Sequence, residues 1–244
     1  METDALTLAE SLAQAIRTGG SLDIDSVPQP DLAQAYAIQR QILGALDVAP
    51  AGYKLSLRPD GILSAPLLSV SDATRFPFQP GLKLEVELAF HLGADLPRRD
   101  TPYTREEVAE AVSAVSIGIE FVRSRYHGGA QGRVPLLVAD LMSTVGYLVG
   151  PRMPETSLRS GPFREHLQVK LGESLAFDAA SAHPDGDPLA GLLAFANSPD
   201  RPETMLVEGM TLTTGSLCGG LAVSGPCAVT VDIGGAIHRF KVDA

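Results

Sequence analysis

The chain has no tryptophan, two cysteines in 244 residues and only 5% aromatic residues. It is also short of basic charge: 19 Lys and Arg stand against 29 Asp and Glu, a formal net charge of −10. Each shortage excludes something. Cys218 and Cys227 cannot supply the disulfide framework of a small exported domain, so buried free thiols in a reducing compartment are expected. An acidic balance does not suit nucleic acid, which needs a basic surface. No apolar run reaches membrane length and no basic-then-apolar leader opens the chain, so a cytoplasmic protein without a membrane partner is expected. The histidines, His91, His127, His166, His183 and His238, lack metal-ligand spacing. His127, just ahead of Gly128-Gly129, is a candidate to line a mobile loop. No Gly-x-Ser-x-Gly elbow or Cys/His pair suggests covalent acyl chemistry.

What is present describes a globular enzyme-sized chain. Hydrophobic residues make up 45% and charged residues 20%, enough to bury a sizeable core. Residues 7–18 carry Leu8, Leu12, Ala15 and Ile16 at helical spacing and stop at Gly19-Gly20. Asp31 can cap a second helix whose apolar stripe is Leu32, Ala35, Ile38, Ile42 and Leu43, up to Leu46. Residues 52–57 form a short strand presenting Lys54. Residues 58–80, rich in Pro, Ser and Asp, read as a loop or lid.

A strand then spans 83–90, and Thr104 with Glu107 forms a capping box for a helix through Ala114. Further strands are expected over 116–122, 139–149 and 168–171, with a connection at 157–164, a turn at Glu173-Ser174 and a helix over 188–197. Residues 205–209 lead into 212–217, and strands broken by Gly-Pro and Gly-Gly turns fill 221–242. Helices early and strands late give an α+β fold with a mixed, largely antiparallel β core. The expected division is an N-terminal helical segment, 1–50, and a catalytic domain, 51–244.

The most informative stretch is Lys83-Leu84-Glu85-Val86-Glu87-Leu88-Ala89-Phe90. Its period of two places Glu85 and Glu87 on one strand face, close enough to repel. Water, protonation or a bound cation must relieve that repulsion, and a hard divalent ion takes oxygen ligands of this kind. A solvated face partly neutralised by Lys83 is the alternative. Glu120 is the only acid in the apolar run 116–122, where an unpartnered carboxylate is costly. It either pairs with Arg123 or Arg125 or joins the other two acids around a metal.

These motifs, in order, resemble the 2-hydroxypenta-2,4-dienoate hydratase and 4-oxalocrotonate decarboxylase group of the fumarylacetoacetate hydrolase-like superfamily. The resemblance runs from Tyr36-Ala37-Ile38-Gln39-Arg40 through Gly52-Tyr53-Lys54-Leu55, the Glu85–Phe90 strand and Asp95-Leu96-Pro97. It continues in Glu120 with Ser124-Arg125, Ala139-Asp140 with Ser143, Tyr147-Leu148-Val149-Gly150 and Thr214-Gly215-Ser216-Leu217. It implies a β-roll fold and a hydratase acting in aromatic compound catabolism on a short 2-hydroxy-dienoic or 2-oxo acid. Decarboxylation of a 2-oxo-hexenedioate-like diacid, hydrolysis of an acylpyruvate, or a catalytically reduced partner subunit are the alternatives.

It further implies Mg²⁺ or Mn²⁺ on Glu85, Glu87 and Glu120, with Lys54 as the catalytic lysine and Asp72 in place of an acidic lid residue. Ser216 would help hold the substrate carboxylate. From the residues themselves, Thr214 is a candidate to share that task, and Arg123 and Arg125, alternating on one face beyond Glu120, either reach a second substrate carboxylate or balance the charge of nearby acids. A homo-oligomer, or a complex with a related pathway enzyme, is the implied assembly. The chain departs from the pattern at Ser56 and Arg58, at Leu141 in place of asparagine, and at Arg123 in place of aspartate.

Overall fold

The computed structural model describes residues 2–154, 158 and 161–244. Two helices open the chain, α1 (Glu2–Thr18) and α2 (Leu32–Leu46). Asp31 caps α2 through the Gln34 amide, and the Gln34 side chain returns the bond to Asp31 N–H, which satisfies two otherwise orphaned donors. Ala35, Ile38, Gln39 and Ile42 face inward. Leu32, expected in that stripe, is instead 40% exposed.

The strands of the first sheet are β1 (Gly52–Arg58), β2 (Gly61–Leu67), β3 (Val70–Ser71), β5 (Lys83–Leu92), β6 (Val112–Val122), β7 (Thr144–Arg152), β10 (Thr211–Thr214) and β11 (Leu221–Ala222). Those of the second are β4 (Arg75–Pro77), β8 (His166–Leu171), β9 (Ser174–Ala180), β12 (Cys227–Ile233) and β13 (Ala236–Asp243). Short helices α3 (Arg105–Ala111), α4 (Val134–Ala139) and α5 (Ala190–Ala196) link them. Among the described residues the first sheet runs β2-β1-β10-β5-β6-β7-β3, with β11 on β5, and the second runs β4-β13-β12-β8-β9. Most pairings are antiparallel; β1 with β10, β3 with β7 and β4 with β13 are parallel. The fold is therefore α+β with a mixed, largely antiparallel β core, as the sequence led one to expect.

One face of the β5–β6 ribbon is wholly apolar. Leu84, Val86, Leu88 and Phe90 lie beside Ile117, Ile119 and Phe121, all buried. Phe121 stacks on Phe76 at 3.7 Å between ring centres, and Phe240 meets it edge-on. Each such side chain contributes roughly 1.5–3 kcal/mol over its exposed state. That anchored face fixes which way the opposite, acidic face must point. A second cluster packs α1 and α2 against α4 and β2.

Three expectations shift. The 58–80 segment holds β2, which folds back on β1 through a two-residue turn at Pro59-Asp60 and carries the apolar Ile62, Leu63, Ala65 and Leu67. The helix begun at Thr104 gives way to strand at Val112 rather than at 116. The strand expected from Ala139 begins at Thr144, after α4 and a turn over Leu141–Ser143 whose residues all have left-handed φ (51°, 49° and 66°). The 157–164 connection falls partly outside the described residues. No helix among the described residues is long and apolar enough to cross a membrane.

Candidate metal centre and active site

Strand register assembles the site. Glu85 lies directly opposite Glu120 across β5 and β6, and Glu87 opposite Gly118. On the other flank Lys54 pairs with Thr213, which pairs with Ala89 of β5. Tyr147 pairs with Glu120 from β7. Residues that face one another, or alternate along a strand, share a face. Lys54, Thr213, Glu87, Glu85, Glu120 and Tyr147 therefore all look into one concavity of the curled sheet, across the small Ala89 and Gly118.

Oxygens of Glu85, Glu87 and Glu120 come within 4.8 Å of one another. Glu87 is 3% exposed and Glu120 fully buried, so water cannot relieve their repulsion. Burial, and then the neighbouring Glu120, pushes the Glu87 carboxyl up to about 8. Glu120 is also raised by burial, against the opposing pull of Lys54. The Lys54 ammonium sits 2.7 Å from Glu120 Oε2 and donates to Met142 O at 3.3 Å. Burial works to lower its pKa, but the three carboxylates outweigh that and hold it above the ordinary lysine value. One ammonium faces three acids, and Glu120 Oε1 is buried with no hydrogen-bond partner.

This donor set fits a hard divalent ion. It is all oxygen, over-acidic, and spread over little more than the roughly 4 Å diameter of a Mg²⁺ octahedron with bonds of about 2.1 Å. Protonation near pH 8 is the competing relief, and a cation displaces that proton by supplying charge.

Two hydroxyls complete the floor. Thr213 Oγ1 donates to Glu87 Oε2 and accepts from the Tyr147 hydroxyl at 2.8 Å. Tyr147 reaches Thr213 by lying across β6 at Gly118, where a Cβ would sit 1.7 Å from its oxygen. The glycine is required there by close approach, not by φ.

The sequence-derived candidates divide. The structure brings Glu85, Glu87, Glu120 and Lys54 together. Ser216 lies in the loop after β10, its hydroxyl on Gly219 O at 3.2 Å. Leu217 N–H ties that loop to Val86 O, and Gly220 packs against Glu85 Oε1, so the loop borders the acids. Thr214 faces away: its side chain meets His183 Nε2 at 2.9 Å and Pro188 O at 3.1 Å, and Thr213 holds the inward place.

Arg125 is corrected as well. It is 1% exposed, with Nε 3.2 Å from Asp140 Oδ1 and terminal nitrogens on Arg123 O and Thr144 O, so it is committed to the interior rather than to substrate. Asp72 is exposed between β3 and β4, with no hydrogen bond or ion pair to the acids among the described residues. Glu120 pairs with Lys54 rather than with Arg123 or Arg125. Thr213 and Tyr147 were missed as site residues; the signal for them is pairing register, which the sequence alone does not display. Cys218 and Cys227 are free and half-buried.

Comparison with known proteins reaches the fold. No protein-family model matches the chain, and no curated protein sequence matches it. Among solved structures, the 4-oxalocrotonate decarboxylase of Pseudomonas putida G7, complexed with magnesium and adipate, is similar with a TM-score of 0.80 at 19% identity. That match covers 100% of this chain and 98% of the other. The maleylpyruvate hydrolase of Sphingobium sp. SYK-6, in complex with manganese and pyruvate, matches at a TM-score of 0.50 and 17% identity, over 95% and 84% of the two chains. The 2-hydroxyhepta-2,4-diene-1,7-dioate isomerase of Mycobacterium marinum matches at 0.50 and 15%, over 80% and 75%. These neighbours are fumarylacetoacetate hydrolase-like superfamily members, and the chain has the fumarylacetoacetate hydrolase-like fold.

Proposed function

We infer that the chain is a divalent-metal-dependent lyase that hydrates a short 2-hydroxy-dienoic or 2-oxo-enoic acid. One observation carries the reading: three carboxylates from adjacent strands converge in a buried site with a single ammonium to balance them. Glu85, Glu87 and Glu120 would hold Mg²⁺ or Mn²⁺, which when bound supplies Lewis-acid polarisation of a 2-oxo acid and stabilises negative charge developing on its oxygen. The metal complexes of the decarboxylase and the maleylpyruvate hydrolase support that choice of ion.

The chain's own groups would do the rest. Thr213 and Tyr147 aim Glu87 and hold it as an acceptor. Lys54 moves the proton: once the carboxylates' charge is compensated, burial alone acts on it, lowering its pKa toward the range where a neutral amine serves as base. Ketonisation of the dienol then gives an α,β-unsaturated ketone, and water adds at its far carbon. Ser216, at the edge of the acids, would fix the substrate carboxylate.

Decarboxylation of a 2-oxo-hexenedioate-like diacid is the second reading, favoured by the end-to-end likeness to a decarboxylase. The test is a panel of 2-hydroxydienoates in Mg²⁺ or Mn²⁺, following loss of dienol absorbance and release of CO₂. Hydration without CO₂ is expected; CO₂ release supports the second reading. Metal binding and turnover unaltered in Glu85→Gln or Glu120→Gln would overturn both.

A further inference from the structure

A cavity of about 710 Å³ lies across β1 from the acid cluster, within the volume range of small-molecule sites. Strand alternation separates the two. Lys54 turns to the acids, while Tyr53 and Leu57 turn the other way, beside their antiparallel partners Pro66 and Ile62 of β2. The remaining walls come from α2 and from α5 with the residues that follow it, and Leu43 and Phe195 keep them largely apolar.

Buried side chains that line it keep polar atoms without partners. Tyr53 is 6% exposed, and its hydroxyl makes no hydrogen bond among the described residues. Burial pushes its phenol up, so it keeps its proton and can donate. Gln39 is 4% exposed; its amide nitrogen donates to Ser64 O at 3.1 Å and Val138 O at 2.8 Å, and among the described residues nothing donates to its Oε1. The Tyr36 hydroxyl accepts from the Ser64 amide at 3.2 Å, which leaves its own proton available. Buried polar groups are nearly always paired, and an unpaired one is costly. Phenolic donors beside an amide acceptor therefore call for a molecule carrying both kinds of group. The charged side chains do not favour an anion: Arg40 stands with Asp60 and Asp200 at the exposed mouth, and the Arg201 guanidinium is engaged by Ala196 O and Leu96 O.

We propose that this cavity binds an uncharged hydroxylated aromatic molecule, with its ring on the apolar walls and its hydroxyl between Tyr53 and Gln39. A phenolic hydroxyl can accept from Tyr53 and donate to Gln39 Oε1 at once. The rings of Tyr36, Tyr53 and Phe195 offer the edges and faces that aromatic pairs prefer. The site is separate from the acid cluster and does not depend on a metal.

The experiment titrates the Mg²⁺-loaded protein into 2-naphthol and follows the probe's fluorescence anisotropy, which no tryptophan obscures. Saturable binding is expected, weakened on the order of 10-fold in Tyr53→Phe and by a smaller factor in Leu32→Glu. Leu32 is exposed at the start of α2, where an acid is well tolerated, so its variant keeps the test open should Tyr53→Phe fail to fold. The anion 2-naphthoate should displace the probe only at higher concentration, and Glu87→Gln should bind 2-naphthol as the wild type does. No saturable binding, equal affinity in the wild type and both variants, or tighter binding of 2-naphthoate would overturn the proposal. So would loss of binding in Glu87→Gln, which would move the probe to the acid cluster. A wild-type oligomer that Leu32→Glu dissociates in sedimentation velocity would give the cavity to a second copy of the chain, and that too would overturn it.

Discussion

The protein buries charge in two places and treats it in opposite ways. Around Asp140 the charges balance: one guanidinium, one carboxylate, and hydrogen bonds from Ser124 and the Arg125 amide to the acid. Around Glu120 they do not: three carboxylates share one ammonium, and an oxygen is left without a partner. A balanced buried pair needs nothing further, and its work is done inside the fold. An unbalanced one is stable only with an additional cation or proton, which is why it is the site proposed for the chemistry.

The comparison can be broken by substitutions of opposite sign. The largest effect is expected from Arg125→Met, which strands Asp140 in the interior and costs about 3–5 kcal/mol by denaturant unfolding. Adding Asp140→Asn should recover most of it, and failure to recover would deny that the pair is a closed structural unit. Glu87→Gln should do the reverse without metal: removing one of three repelling acids raises the melting temperature in EDTA at pH 8. It should also weaken Mg²⁺ binding on the order of 100-fold, about 2.7 kcal/mol. A destabilised metal-free Glu87→Gln protein would erase the distinction between the two clusters.

Gly118→Ala tests the floor of the acid site. A methyl group there displaces Tyr147 from Thr213, for about 1–3 kcal/mol of overpacking and a loss of Mg²⁺ affinity, both measurable by thermal shift with and without metal. A further expected effect is on pH dependence. Glu87 titrates near 8 when folded against 4.5 ordinarily, so the folded state holds its proton more tightly. Its contribution to metal-free stability is full below about pH 4.5 and disappears as pH rises through about 8. Melting temperature in EDTA should therefore fall from pH 6 to 8.5, and Mg²⁺ should restore more at the higher pH. A flat EDTA profile would show that Glu87 is not proton-stabilised.

Much of this was legible in the chain because period-two strands announce their faces. The alternation through Glu85 and Glu87 and the lone Glu120 in an apolar run sufficed to name the acids. What was not legible depends on pairing between distant strands. Thr213 and Thr214 are indistinguishable by composition, yet a shift of one residue turns a side chain to the other face, and only the pairing of Lys54 with Thr213 decides between them. Arg125 looked available because its partner Asp140 is brought to it at the end of α4, just ahead of a left-handed turn at Leu141, Met142 and Ser143 that no residue preference signals. The β1–β2 hairpin was hidden by the Pro and Ser content of a segment that nevertheless places Leu63, Ala65 and Leu67 inward.

That left-handed turn shapes how the protein can vary. Three consecutive non-glycine residues in this conformation are each disfavoured by about 1–2 kcal/mol, and what they achieve is to direct main-chain oxygens: Met142 O receives the lysine and Ser143 O the Arg123 amide. Since the backbone, not a side chain, meets the amine, residue 142 can drift across lineages without loosening its hold on Lys54. The restraint on evolution there falls on geometry rather than identity, so related chains should conserve the bend more faithfully than the letters that spell it.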